Sequence, residues 1–360
     1  MKKFLKAVLR FIMKFPVHIA GVILIPSLVT SIVYLFSTEV LYYNLYYQGE
    51  RIHTDPENFQ LKSIKKVASV LQVSSMFSYQ GGACYENYYA VVTDNFEAIL
   101  IYNTENKFKV EHNISTGIVN TDWHCNQMFF GTDFYSASDK FPLLYISMES
   151  PKVHSLFAFR IYQLSGVYYV KQIQQITLDF YDDKTVYYPN AYYDYDTNLV
   201  YYVGYTKNSY LKEEDNKLRY YTFYLPDYRI DQLSFFTNES EEEPFELPSE
   251  TAGQGGFISK GYLYQTFSFA SKDDPIRAPK MRIVDLRNHK IVYDNQNIGA
   301  AFGVYEEFEH LAISESGHMF SLGNPYNIYE FEYEHTDDWD DDFIEYDNDE
   351  DEGEGESENS

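Results

Sequence analysis

Seven polar residues of this chain stand where chemistry could be done: Gln80, His124, Asn126, Asn190, Gln254, Glu309 and His310. They fall at the starts of short apolar and aromatic runs, each of which opens a unit of several runs divided by turn residues. Overlaying the units brings Gln80, His124, Asn190, Gln254 and either Glu309 or His310 to one position. Amide, imidazole and carboxylate groups gathered on a ring suit recognition of a small molecule. Such a site needs a few well-placed polar groups in a concave, mainly apolar wall. The competing reading is that the same groups hold ordered waters filling a channel. Both readings stay open at this level.

Other chemistries have less support. A zinc site would draw on His124, His310 and Glu309. Zinc wants three or four ligands at fixed geometry, and there is no His-x-His pair to start from. A glycosidase needs two carboxyl groups on opposite sides of a sugar bond. Glu86, Asp194 and Glu309 are the candidates, on three different units. No nucleophile elbow, phosphate-binding loop, His-Glu-x-x-His or dinucleotide fingerprint occurs. No metal, cofactor or catalytic residue is therefore expected.

The elements that must position the ring come from a repeat. Gln80-Gly81-Gly82, followed by a strand, a tight turn and an aromatic strand, returns as Gln254-Gly255-Gly256 with the same sequel. A recurring unit that cannot bury its own faces marks a repeat architecture. The units start near 80, 123, 189, 254 and 307 and hold short strand-like runs bounded by turn clusters. The third unit is expected to end with a strand at 232–237, followed by a polar insertion at 238–250. The fifth holds only three runs, so a lone run at 67–73 is expected to pair beside 326–333. That pairing would close the ring and remove an open edge. The expectation is an all-β protein, a β-propeller of five four-stranded blades. Six blades follow if residues 37–62 or a long unit hide another, and a two-sheet sandwich is the alternative. The 37 Tyr and 27 Phe residues suit pleated, half-buried surfaces.

Flanking segments set the context. Residues 1–14 carry Lys2, Lys3, Lys6, Arg10 and Lys14 and no acid, and residues 15–36 carry no charge at all. The second stretch is long enough to cross a bilayer and lacks a small-residue cleavage site, so it reads as a retained signal anchor. The basic flank stays in the cytoplasm and the rest lies outside. Residues 37–61 read as a linker, 62–333 as the propeller and 334–360 as a disordered acidic tail without Lys or Arg. The net charge of -26 disfavours nucleic acid as a partner. Cys84 and Cys125 fall at different heights on opposite strand faces, which predicts two free, buried thiols.

The run His124-x-Asn126 with Phe130-Gly131 and Phe141-Pro142-Leu143-Leu144-Tyr145-Ile146-Ser147 resembles segments of uncharacterised bacterial propeller proteins of the TolB-like type, as do the two Gln-Gly-Gly starts. The resemblance covers roughly 80–330. It implies that His124 and Asn126 belong to a channel-lining strand, and it implies no catalytic residue. The expected function is a membrane-anchored, extracytoplasmic module that binds a ligand or protein partner such as a glycan, a peptide or an envelope protein. The alternative is a carbohydrate-active enzyme using channel carboxylates.

Overall fold

The computed structural model describes residues 53–54, 59–70, 78–118, 123–148, 154–179, 185–209, 215–236, 240–249, 253–267, 279–295, 298–304, 306–324 and 327–335. The expected membrane span and all but the start of the acidic tail lie outside the described residues. Among the described residues, no helix is long and apolar enough to cross a membrane.

Five sheets form five blades. Blade 1 is β3 (Tyr79–Tyr85), β4 (Tyr88–Thr93), β5 (Ala98–Asn103) and β6 (Lys109–Ser115). Blade 2 is β7 (Gln127–Phe130), β8 (Leu144–Ser147), β9 (Ser155–Leu164) and β10 (Val167–Asp179), with a fifth strand β14 (Gln232–Phe236). Blade 3 is β11 (Tyr187–Tyr193), β12 (Leu199–Tyr205), β13 (Lys217–Tyr224) and β15 (Phe245–Pro248). Blade 4 is β16 (Gly253–Ser259), β17 (Tyr262–Phe267), β18 (Lys280–Asp285) and β19 (Lys290–Asn295), with β1 (His53–Thr54) outermost. Blade 5 is β20 (Glu307–Ile313), β21 (Met319–Asn324), β22 (Asn327–His335) and β2 (Phe59–Ser69). A single short helix among the described residues, α1 (Ile298–Phe302), joins blades 4 and 5.

Five apolar cores lie between consecutive blades, and the fifth joins blade 5 back to blade 1 through Tyr89, Val91, Leu100, Ala312, Phe320 and Ile328. Because each blade is packed on both faces, its middle strands are apolar on both. In β4, Tyr89 and Val91 face one core while Ala90 and Val92 face the other. This explains the continuous aromatic and β-branched runs, which would alternate with polar residues in a half-solvated sheet.

The ring is closed from the N-terminal side against the expected partner strand, but the closing strand begins earlier than expected and shares only residues 67–69 with the run at 67–73. The closing strand is β2, which pairs antiparallel with β22 from Phe59↔His335 to Ser69↔Asn327. Residues 71–73 of the expected strand lie outside the described residues. The sheet thus begins before the boundary expected at Lys62. The pattern of 67–73 is apolar, whereas β2 is an outer strand whose Gln60, Lys62, Lys65 and Lys66 meet water and mask the strand signal.

Blade 3 also differs from expectation. The run at 232–236 leaves its neighbour β13 and pairs parallel with β10 of blade 2, from Gln175↔Gln232 to Asp179↔Phe236. It covers the end of the long outer edge that β10 would otherwise expose. Its place in blade 3 is taken by Phe245–Pro248, inside what reads from sequence as a polar insertion. β15 pairs with β13 from Lys217↔Pro248 to Tyr220↔Phe245, and Phe245 stacks on Tyr220 at 4.4 Å.

Candidate functional site

The inner strands β3, β7, β11, β16 and β20 surround the axis, each beside the next, with β16 also touching β7 and β3 across the middle. Four of them share one irregularity. Pairing skips between Tyr79 and Gly82, between Tyr187 and Asn190, between Gly253 and Gly256, and between Phe308 and His310. A bulge re-aims side chains locally. Its register makes Gly82, Asn190, Gly256 and His310 equivalent. Gln80 and Gln254 match one another two residues earlier, so the overlay placing Asn190 or His310 level with them is corrected. Periodicity alone cannot show a bulge.

The front of the axis, where the inner strands begin, is filled by interblade hydrogen bonds. The side-chain amide of Gln127 acts like a strand edge: its Nε2 donates to the Gly256 carbonyl at 2.8 Å and its Oε1 accepts from the Gly256 N–H at 2.8 Å. Asn126 and Asn190 both donate to the Gly253 carbonyl, at 3.0 and 3.5 Å. Gln254 donates to Glu307 at 3.1 Å, and Gln80 donates to Ser78 at 3.0 Å. His124 lies ahead of β7 and contacts Asp94 at 2.5 Å through Nδ1. Glu309 sits buried in the bulge of β20.

His310 is fully buried between blades 5 and 1. Its Nδ1 donates to the Gln80 carbonyl at 2.5 Å, and its Nε2 accepts from the Tyr89 hydroxyl at 2.6 Å. Burial pulls its imidazole down to about 4, against the hydrogen bond to Gln80. Both ring nitrogens are thereby occupied, leaving neither for a metal. A Cβ on Gly82 would overlap that ring, and one on Gly255 would overlap Gln127 Oε1 and approach His310 Cβ at 2.7 Å. The glycines of both Gln-Gly-Gly segments are thus required by close approach at the axis.

At the back, where the inner strands end, the axis opens into a cavity of about 460 Å³ with wall from all five blades. Tyr85 comes from blade 1, Phe134 from blade 2, Tyr193 and Tyr195 from blade 3, Phe257 and Lys260 from blade 4, and Ser314 and Glu315 from blade 5. Gly82, Gln127 and Gly256 also line it, so the plugged axis is its floor. Tight turns aim these groups. Glu86, and the Lys260-Gly261 pair, take positive φ just after β3 and β16. The Asp194 carboxylate accepts from the Asp196 N–H at 3.1 Å and the Thr197 hydroxyl at 2.8 Å, folding the turn that carries Tyr195. Tyr195 then reaches blade 2 and donates to the Phe130 carbonyl at 2.6 Å, with its ring edge-on to Tyr193 at 4.9 Å. Burial raises the Asp194 carboxyl, while its turn hydrogen bonds oppose the rise.

None of the seven residues singled out from sequence lines this cavity, and of Glu86, Asp194 and Glu309 only Asp194 does. The structure gathers most of the seven around the axis, but their described hydrogen bonds run to other blades and to their own turns. Sequence reasoning missed Gln127, which follows Asn126 directly and precedes Met128-Phe129-Phe130. It also missed the back wall, whose signal is an aromatic or charged residue at or within a few positions of the end of each inner strand. Both thiols are free: Cys125 is buried 3.4 Å from the Met148 sulfur, while Cys84 is only half-buried at the cavity wall.

No protein-family model and no curated protein matches the chain. Among solved structures it is similar to the PQQ-bound aldose sugar dehydrogenase of Streptomyces coelicolor, with a TM-score of 0.45 and 10% identity, over 78% of this chain and 100% of that one. It is similar to the exo-β-1,3-galactanase of Clostridium thermocellum, with a TM-score of 0.42 and 12% identity, over 76% of this chain and 62% of that one. A glutaminyl cyclase of Myxococcus xanthus gives a TM-score of 0.41 and 9% identity, over 78% of this chain and 97% of that one. Likeness at this level carries no argument about activity.

Proposed function

We propose that the chain is a membrane-anchored β-propeller, held on the extracytoplasmic side, that binds a small ligand in the back cavity without turning it over. The observation that carries this reading is the cavity itself. Its wall is shared by all five blades, and it combines aromatic rings with a few polar groups over a hydrogen-bonded floor. Its volume falls in the range of small-molecule sites. Of the three wall carboxylates Asp194, Asp196 and Glu315, Asp194 is engaged in shaping its own turn rather than offered to a substrate, which favours binding over hydrolysis. What supports anchoring is the uncharged stretch 15–36 behind a basic flank.

The experiment is a thermal-shift screen of glycans, peptides and metabolites on the full chain in lipid nanodiscs. A true ligand raises the unfolding temperature of the wild type, since binding only the folded state stabilises it. It has no effect on Tyr195→Ala or Phe257→Ala, and it is recovered chemically unchanged. A recovered product of cleavage would replace this reading with the enzymatic one. Resistance to alkaline carbonate extraction tests the anchor.

A further inference from the structure

The cavity wall has a chemical bias that points to a ligand class. Six rings line it, and four of them, Tyr85, Phe134, Tyr195 and Phe257, come from four different blades. Tyr85 and Phe134 meet edge to face at 6.3 Å, as Tyr193 and Tyr195 do at 4.9 Å, so each pair presents faces in two directions. Phe134 is 39% exposed and Tyr195 49% exposed, each in a solvent-facing loop or turn beyond its inner strand. The charged wall groups are Asp194, Asp196 and Glu315 against Lys260. Burial is the first cause raising the Tyr85 and Tyr195 hydroxyls, followed for Tyr85 by the Glu86 carboxylate and for Tyr195 by Tyr193 and Cys84, with Glu315 adding least to each.

Elsewhere the protein seats its own cations on such rings. Lys140 lies 4.1 Å from the centre of Tyr88, Arg160 4.5 Å from Tyr135 and Arg287 5.1 Å from Tyr262. None of these cations lies over Tyr85, Phe134, Tyr195 or Phe257. An aromatic face attracts a cation through its quadrupole, more strongly when water is excluded, and a nearby carboxylate adds charge complementarity.

Resting on the reading of this cavity as the binding site, we propose that its ligand is a small organic cation. An alkylated ammonium group would sit among Tyr85, Phe134, Tyr195 and Phe257, with Asp196 and Glu315 at the rim. A hydrated metal ion would gain little from such rings, and an anion would meet carboxylates.

The test measures binding of choline, of its uncharged carbon isostere and of a set of methyl glycosides to the full chain in nanodiscs by calorimetry. The expected result is choline binding at least tenfold tighter than the isostere. That affinity falls at least tenfold in Tyr195→Ala and severalfold in Glu315→Gln, and weakens with added salt. Both side chains are exposed, so both variants are expected to fold, as an unchanged unfolding temperature would verify. Equal binding of choline and isostere overturns the cation inference. Glycoside binding that Tyr195→Ala abolishes also overturns it, while leaving the cavity as the binding site. Failure of every probe to bind overturns it as well. A ligand from the wider screen that ignores Tyr195→Ala overturns the cavity reading itself.

Discussion

Gln127 of blade 2 and Gly256 of blade 4 are joined across the axis by two hydrogen bonds of 2.8 Å, side-chain amide to backbone amide. The pair makes the same donor and acceptor exchange as two strand residues would, without a strand between them. It converts what would be a channel into a floor. Gln127→Leu keeps the bulk and removes both bonds, leaving a buried N–H and C=O without these partners. At roughly 1–3 kcal/mol for each of the two orphaned groups, the loss should be on the order of 2–6 kcal/mol. Urea denaturation reads it directly as a lower midpoint at unchanged slope.

Gly82→Ala should be costlier than its size suggests. The new methyl group would displace the His310 ring and with it the bonds to Gln80 and Tyr89. Overpacking at such a site costs about 3 kcal/mol. Gly117→Ala is the control, because its methyl group meets nothing within 4 Å and only its φ of 70° is strained. It should cost about 1 kcal/mol. Equal losses in the two variants would show that the axis is not tightly plugged.

How much of this was legible beforehand depends on what each residue reports. Blade number, strand type and N-terminal closure follow from the Gln-Gly-Gly repeat and from the fifth unit's missing strand. The closing strand itself was placed too late because an outer strand with Lys62, Lys65 and Lys66 reads as a polar linker. Phe245–Pro248 was hidden for the same reason. The parallel step of Gln232–Phe236 to β10 skips a neighbour, which local periodicity does not encode. The ring of polar residues was visible as types, but whether Gln80 or Asn126 faces a ligand or another blade depends on bulge register and on Gln127. The cavity was not visible, since its wall joins the ends of five inner strands to turn residues such as Tyr195, Lys260 and Glu315 that meet only in the folded ring.

Stability should depend on acid through His310. Its folded-state value is depressed to about 4 from 6.5, so the unfolded chain takes up the proton first. The contribution is fully present above pH 6.5, falls as pH drops through the window from 6.5 to about 4, and levels off below it. A shift of this size corresponds to about 3 kcal/mol. Urea midpoints measured between those limits should fall less steeply in His310→Gln than in the wild type. Parallel curves would show that His310 is not held neutral.

Phe59→Ala should loosen the seam between blades 4 and 5. Phe59 is fully buried on the closing strand, 5.1 Å from the Tyr293 ring, 6.0 Å from Tyr264 and 5.6 Å from Tyr333. Truncating a buried Phe costs about 3–5 kcal/mol. Proteolysis under native conditions should then begin in β2. Unchanged proteolysis would place closure elsewhere.

Binding of a ligand retained from the screen, measured by calorimetry on Tyr195→Ala and on His124→Ala, separates the two ends of the axis. Tyr195 stands in the back wall, whereas His124 contacts Asp94 at the front. A back-cavity site predicts at least a tenfold loss of affinity in Tyr195→Ala and none in His124→Ala. Loss in His124→Ala with full affinity in Tyr195→Ala would contradict it and return the site to the front ring.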